Sequence, residues 1–186
     1  NVQPTGEGLN YFQLIMDHYR TFRRLGLNVD FVHKNTEDFS GYKLISVVGA
    51  IHISSDLISR ISKAMATLVF GPRTGARVGN MQIPKNLPPQ INLVKSRILR
   101  VETLPSNVSL EIDPVGRAGR YIETIKLDNN ASPYLKLKNG QVIATKEDSG
   151  AIYLASMIDQ EGLTAFYQKL FKEIKLDFLL MPDGIR

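Results

Sequence analysis

Leu44-Ile45-Ser46-Val47-Val48-Gly49-Ala50-Ile51 is an apolar run broken by one hydroxyl, shorter than a helix needs and without the alternation of a half-wet strand. It reads as a strand buried on both faces, the habit of parallel sheets. A turn at Asp38-Phe39-Ser40-Gly41 leads into it. Before that turn, Leu27, Val29 and Phe31 alternate with Asn28 and Asp30, which predicts another strand. Further back, Phe12, Ile15, Met16, Tyr19 and Phe22 recur at helical spacing, so residues 9–25 predict a helix, closed by Gly26 as a left-handed cap. On the other side, Ser55 or Asp56 can cap a helix with Leu57, Ile58, Ile61 and Met65 as its core residues. Thr67 to Phe70 is then a short strand, ended by Gly71-Pro72.

The first seventy residues therefore read α-β-β-α-β, the doubly wound pattern. Two features sit awkwardly in it. A fold of this type normally begins with a central strand, not a helix, and the second helix enters Thr67 without a Gly, Asn or Pro to turn it. Both point to sequence missing from the usual pattern, with the first central strand absent. Residues 71–89 are rich in Gly and Pro and read as loop. A β-rich excursion follows around 95–145, with strands at 95–104, 108–112, 121–127, 134–137 and 141–145. Asn139-Gly140 marks a hairpin between the last two. Ala151 to Ala155 is a last apolar strand, and Leu163, Phe166, Tyr167, Leu170 and Ile174 lie along a closing helix over 161–174. Residues 1–176 make one domain, and the tail at 177–186 reads as the start of a following β domain.

Composition bounds the function. The chain has 186 residues with 43% hydrophobic and 22% charged, enough for a sizeable core. No apolar run approaches the ~20 residues that span a bilayer, so no membrane association is expected. Cysteine is absent, which excludes disulfides, thiolate metal sites and a cysteine nucleophile, and points to a cytoplasmic setting. The net charge of +5 comes from scattered groups: Arg20, Arg23 and Arg24 on one helix, Arg73 and Arg77 in a loop, Lys136 and Lys138 on a strand. A nucleic-acid binder concentrates them on one face with interleaved aromatics, so no nucleic-acid partner is expected.

The loop Gly71-Pro72-Arg73-Thr74-Gly75-Ala76-Arg77-Val78-Gly79 follows a strand, and its amides and arginines can cradle an anion. It matches neither a Walker A pattern nor the Rossmann fingerprint, so Arg73, Thr74, Gly75 and Arg77 are read first as an interface loop and second as a phosphate or small-molecule site. His18 lies on the first helix, His33 ends a strand, and His52 sits at the carboxyl edge of the buried strand, where α/β sheets place ligands. None has a nucleophile elbow or a metal-ligand spacing beside it. Glu102, Glu111, Asp113, Glu147 and Asp148 fall at solvent-type positions of strands and turns, without the aromatic platform that accompanies a glycosidase carboxylate pair. Catalytic, cofactor and metal residues are accordingly all read as none. Glu123 stands apart.

It stands apart because the aromatic-x-Glu of Tyr121-Ile122-Glu123 belongs to a set of matching runs. The others are Thr5-Gly6-Glu7-Gly8-Leu9, the stretch from Tyr19 to Val32, Leu68-Val69-Phe70-Gly71-Pro72-Arg73-Thr74-Gly75, and Gln82-Ile83-Pro84-Lys85-Asn86-Leu87-Pro88-Pro89. Met181-Pro182-Asp183-Gly184-Ile185 also matches. Together they resemble the middle, trimerisation domain of family 42 β-galactosidases, with the tail similar to the start of that family's small C-terminal β domain. The resemblance implies an α/β, flavodoxin-like three-layer sandwich with a mostly parallel sheet, related to class I glutamine amidotransferase domains but without their cysteine. It implies a non-catalytic oligomerisation domain, a homotrimer through this domain, and an N-terminal barrel domain of the same protein that carries the catalytic glutamates. The sequence departs from the family at the absent first strand, the short turn before Thr67, and Ala144-Thr145-Lys146-Glu147-Asp148-Ser149-Gly150, which replaces a glycine-rich approach to the last strand.

Overall fold

The computed structural model describes residues 10–182, so the family-like run at 5–9, the first residue of the helix predicted over 9–25 and the tail at 183–186 lie outside it. In chain order the elements are α1 (Tyr11–Arg24), β1 (Leu44–Val47), α2 (Ser55–Ser62), β2 (Thr67–Phe70), β3 (Arg97–Thr103), β4 (Ser109–Asp113) and β5 (Arg117–Lys126). Then come β6 (Ser132–Leu137), β7 (Val142–Lys146), β8 (Ile152–Leu154), β9 (Ser156–Ile158) and α3 (Gln160–Glu173).

The strands form one sheet in the order β1-β2-β8-β7-β6-β4-β5-β3, with β9 paired to β5. Among the described residues only β1–β2 and β2–β8 are parallel. All the other pairings among the described residues are antiparallel, which corrects the expectation of a mostly parallel sheet. The reason lies in the connections. Only β1 and β2 are consecutive strands joined through a helix, α2, whereas the links along β4–β7 are short turns, which return the chain antiparallel. The excursion around 95–145 is thus most of the sheet rather than an addition to it.

A single residue, Ala155, separates β8 from β9, yet β8 pairs with β7 and β9 with β5. Because β5, β4, β6 and β7 are themselves joined in series, the pairings close a circuit. Ala155 is its seam: its N–H donates to the Ile143 carbonyl at 2.8 Å, and its own carbonyl accepts from Glu123 N–H at 2.8 Å.

At the parallel end the side chains alternate between two cores, as a strand's period of two requires. Val69, Ile152 and Leu154 pack with Phe22 and Leu25 beside α1 and with Phe166, Tyr167, Leu170 and Phe171 of α3. Ile45, Leu68, Phe70 and Tyr153 pack with Ile58 and Ile61 of α2 and with Phe39, Ile91, Val94 and Ile98. Helices therefore cover both faces here, in three layers. Burying this much apolar surface, at about 25 cal/mol per Å², is what holds the layers together.

The predicted apolar stripe of α1 is rotated. Its buried residues are Leu14, His18, Thr21 and Phe22, while Phe12 is 70% exposed. Polar residues serve the core because each has a partner there: the His18 ring lies 2.8 Å from the Tyr167 hydroxyl, and the Thr21 hydroxyl donates to the Asp17 carbonyl at 2.8 Å. Gly26 closes α1 as expected, at φ +73°. Its N–H bonds to Arg23 and that of Leu27 to Phe22, the double C-terminal bond of a Schellman end.

The strand predicted at 27–31 does not form. Leu27 and Val29 pack against the α1/α3 core, but Phe31 is exposed and tilted against Tyr19 at 5.4 Å. Strand β1 ends at Val47 rather than Ile51, since Gly49 turns the chain at φ +66°. Ser54 caps α2 by accepting from Leu57 N–H at 3.2 Å. Met65 is not a core residue. It is 98% exposed and takes φ +53°, supplying the left-handed turn into β2 that no Gly, Asn or Pro is there to make.

Candidate functional site

The loop after β2 is held from within. Arg73 adopts φ +66° and donates its N–H to Glu123 Oε1 at 3.2 Å. Thr74 N–H donates to the Gly71 carbonyl, Gly75 N–H to Ala50, Ala76 N–H to Arg73, Arg77 N–H to Ile51 and Val78 N–H to Gln82. Every amide from Arg73 to Val78 thus has an acceptor inside the chain, and a phosphate cradle built from these amides would have no donors left to offer. The Thr74 side chain is buried and donates to the Val47 carbonyl at 3.1 Å. Gly75 is at φ +70°, where a Cβ would lie 2.9 Å from Ile91 Cγ1. The four residues are therefore packed into the base of the loop, and only Arg73 keeps a partly open side chain.

The anchor of that loop is Glu123, on β5. Its carboxylate is buried, at 2% exposure. Oε1 accepts from the Tyr121 hydroxyl at 2.8 Å as well as from Arg73 N–H, and Oε2 accepts from the Tyr153 hydroxyl at 2.8 Å. One side chain so ties β5, β8 and the 71–78 loop. Burial pushes its carboxyl up to about 7, against the pull of the two hydroxyls, the Arg73 amide and the Arg73 charge. The Arg73 guanidinium sits 5.7 Å from the Tyr121 ring centroid, and the charges of Arg73 and Arg77 both reach the Tyr121 hydroxyl, so the two arginines converge on this cluster. Tyr121-x-Glu123 was legible in the sequence; the Tyr153 donor, inside an apolar run, was not.

Beside Arg73 lies a cleft of about 320 Å³ lined by Tyr11, Leu14, Gly49, Ala50 and Ile51. It opens at the carboxyl end of β1, and Gly49 is required there, since a Cβ would stand 2.9 Å from the Tyr11 ring.

The remaining sequence candidates disperse. His18 is buried against Tyr167, and burial holds its imidazole down at about 4. His52 lies 3.4 Å from the Arg77 carbonyl, whereas His33 accepts from Asn35 N–H at 3.2 Å in an exposed turn. Glu111 pairs with Lys138 at 2.7 Å and Arg117 at 3.5 Å, Asp148 pairs with Lys95 at 3.7 Å, and Asp113 is exposed. Glu147 corrects its surface assignment. It is buried, with Oε2 accepting from Lys95 N–H at 2.9 Å and Ser96 N–H at 3.2 Å, and Oε1 from the Thr145 hydroxyl at 2.6 Å. Among the described residues no group of three or more His, Cys, Asp or Glu is placed to hold a metal ion.

A β-galactosidase, BgaA, from a Thermus species is 31% identical over 189 residues, covering all of this chain and 29% of that protein. A β-galactosidase from Thermus thermophilus is 30% identical over 190 residues, again with 29% of its length covered. The chain thus spans well under half the length of the curated relatives it matches. The crystal structure of the β-galactosidase from the psychrophilic Marinomonas ef1 superposes with a TM-score of 0.89 at 30% identity, over 99% of this chain and 28% of that one. The polyextremophilic β-galactosidase of the haloarchaeon Halorubrum lacusprofundi shares the fold at a TM-score of 0.89 and 22% identity, over 99% of this chain and 30% of its own. The family model described as the β-galactosidase trimerisation domain matches residues 1–177, and the chain belongs to that family.

Proposed function

We propose that this chain is a non-catalytic oligomerisation and scaffold domain of a β-galactosidase, and that it packs copies of its parent into a homotrimer. The observation that carries the reading is the match of the trimerisation-domain family over residues 1–177, nearly the whole chain. In this reading the parent hydrolyses terminal β-galactosides on a barrel domain N-terminal to these residues, and that barrel is the domain's partner within the protein. The three-layer arrangement at the parallel end supports a flavodoxin-like ancestry, with residues 1–176 as the domain and 177–186 leading into a β domain. The parent works in the cytoplasm, without a cofactor in this domain and without nucleic-acid or membrane partners.

The 71–79 loop serves as a contact surface in this scheme. What supports that role over anion binding is the internal use of its amides and the burial of Thr74 and Gly75, which make it rigid and pre-shaped. Multi-angle light scattering of the chain tests the assembly, with three copies expected; a strict monomer at high concentration overturns it. Turnover of a nitrophenyl β-galactoside by the pure chain would overturn the non-catalytic role.

A further inference from the structure

Strand β3 ends the sheet and, among the described residues, pairs with β5 alone. It is seven residues long, and it carries Leu99 at 52% and Val101 at 48% exposure. Long edges with apolar side chains are templates for pairing with another strand.

Backbone direction can be read from the ladder. Val101 stands opposite Glu123, and the Glu123 N–H points the other way, to the Ala155 carbonyl. Opposite Val101 there is therefore a non-hydrogen-bonded pair, and Val101 turns its own N–H and C=O outward. Leu104 N–H, three residues on, donates inward to the Arg120 carbonyl, which fits the same alternation and leaves Thr103 facing outward as well. Pro88 covers the strand's first turn by accepting from Ile98 N–H at 2.7 Å, so the open part of the edge is its C-terminal half.

That half is self-complementary. An antiparallel strand aligned with Val101 opposite Val101 sets Arg100 opposite Glu102, and Glu102 opposite Arg100. These are non-hydrogen-bonded positions, where facing side chains approach most closely. Within one chain Arg100 and Glu102 already form an ion pair on one face of the strand, Arg100 exposed and Glu102 half-buried, so the charges are positioned to exchange partners across a two-fold axis. Lengthening the sheet this way makes an isologous interface, the same patch on both copies.

We propose that β3 is a two-fold docking edge, and that its occupant is β3 of a second copy of this chain, paired antiparallel about Val101. This pairing does not depend on the three-fold assembly proposed above. It adds a factor of two to the copy number, so pairing alone gives dimers, and pairing combined with a trimer gives hexamers.

Sedimentation velocity over a concentration series reads the copy number directly. The expected result is an even-numbered species that Val101→Pro converts to half its mass. Proline is suited to this, because an outward N–H on an edge strand can be lost without breaking the chain's own ladder. Arg100→Glu and Glu102→Arg should each weaken the pairing about tenfold or more by facing like charges. An equimolar mixture of these two variants should restore it, since each then meets its opposite. Circular dichroism of each variant verifies folding. Wild-type trimers with no even-numbered species overturn the β3 pairing and leave the three-fold reading intact. Dimers without multiples of three support the pairing and overturn that reading. Even-numbered species that persist in Val101→Pro, or single-charge variants that mixing does not rescue, overturn the pairing.

Discussion

The Tyr153 hydroxyl donates to Glu123 Oε2 at 2.8 Å across the sheet, from β8 to β5, in a site where the carboxylate is 2% exposed. A buried carboxylate with three donors in the chain is costly to place and more costly to strip. Tyr153→Phe removes one donor and leaves the aromatic packing. Its expected cost is about 1–3 kcal/mol, seen as a lower urea midpoint with an unchanged m-value. No loss of stability would show that the hydroxyl contributes nothing to holding the carboxylate.

The two buried titrating groups oppose each other with pH. Glu123 is raised to about 7 in the folded chain from an ordinary 4.5, so its contribution is full below about 4.5 and is lost as pH rises through 7. His18 is lowered from 6.5 to about 4, so its contribution is present above 6.5 and is lost as pH falls through 4. Between about pH 4.5 and 6.5 the two slopes have opposite signs and offset each other. Glu123→Gln should expose the histidine slope, with stability rising with pH in that window. His18→Gln should expose the carboxyl slope, with stability falling. Chemical denaturation at pH 5 and pH 6.5 distinguishes them, and parallel curves for both variants would refute the pairing of effects.

Glu147 accepts from two backbone amides and a hydroxyl, joining the approach to β3 with the end of β7. Glu147→Ala leaves Lys95 N–H, Ser96 N–H and the Thr145 hydroxyl in a buried place without their acceptor. The expected loss is about 2–4 kcal/mol, larger than for an exposed carboxylate such as Asp148. The same denaturation measurement on Asp148→Ala is the control, and equal losses would mean that burial of Glu147 is not what matters.

Glu147 also shows where the sequence stops being legible. Its burial depends on amides 51 and 52 residues away, so nothing in Lys146-Glu147-Asp148 announces it. Local signals carried well: Asn139-Gly140 turns β6 into β7 with Gly140 at φ +90°, and α3 buries Leu163, Phe166, Tyr167 and Leu170 as their spacing requires. Strand direction did not carry, because a strand's own residues do not encode whether its neighbour runs with or against it. The alternation at Leu27, Val29 and Phe31 was real but found no strand to pair with, and a strand exists only in a ladder. The buried face of α1 is not legible locally, because His18 and Thr21 are polar and find their partners, the Tyr167 hydroxyl and the Asp17 carbonyl, only in the fold. At the candidate site, Arg73 and Glu123 were each singled out in the sequence. Their bond, across 50 residues, was not.

The glycine of that loop provides the sharpest local test. Gly75 sits at φ +70°, and an added Cβ would meet Ile91 Cγ1 at 2.9 Å and Gln90 N at 3.0 Å, while the Gly75 carbonyl accepts from that same Gln90 N–H at 2.7 Å. Gly75→Ala therefore combines a left-handed alanine, costing about 1–2 kcal/mol, with a contact that only backbone movement relieves. The movement would pull on the Gln90 bond and on the Ala50 carbonyl that holds Gly75 N–H at 2.9 Å. A total of about 2–4 kcal/mol is expected. Hydrogen exchange should show faster amides at Gly75, Arg77 and Gln90 while Tyr153 and Leu154 in the sheet remain protected. If the alanine variant keeps the wild-type melting temperature and exchange pattern, the loop is not the rigid, internally bonded element that its amide contacts describe.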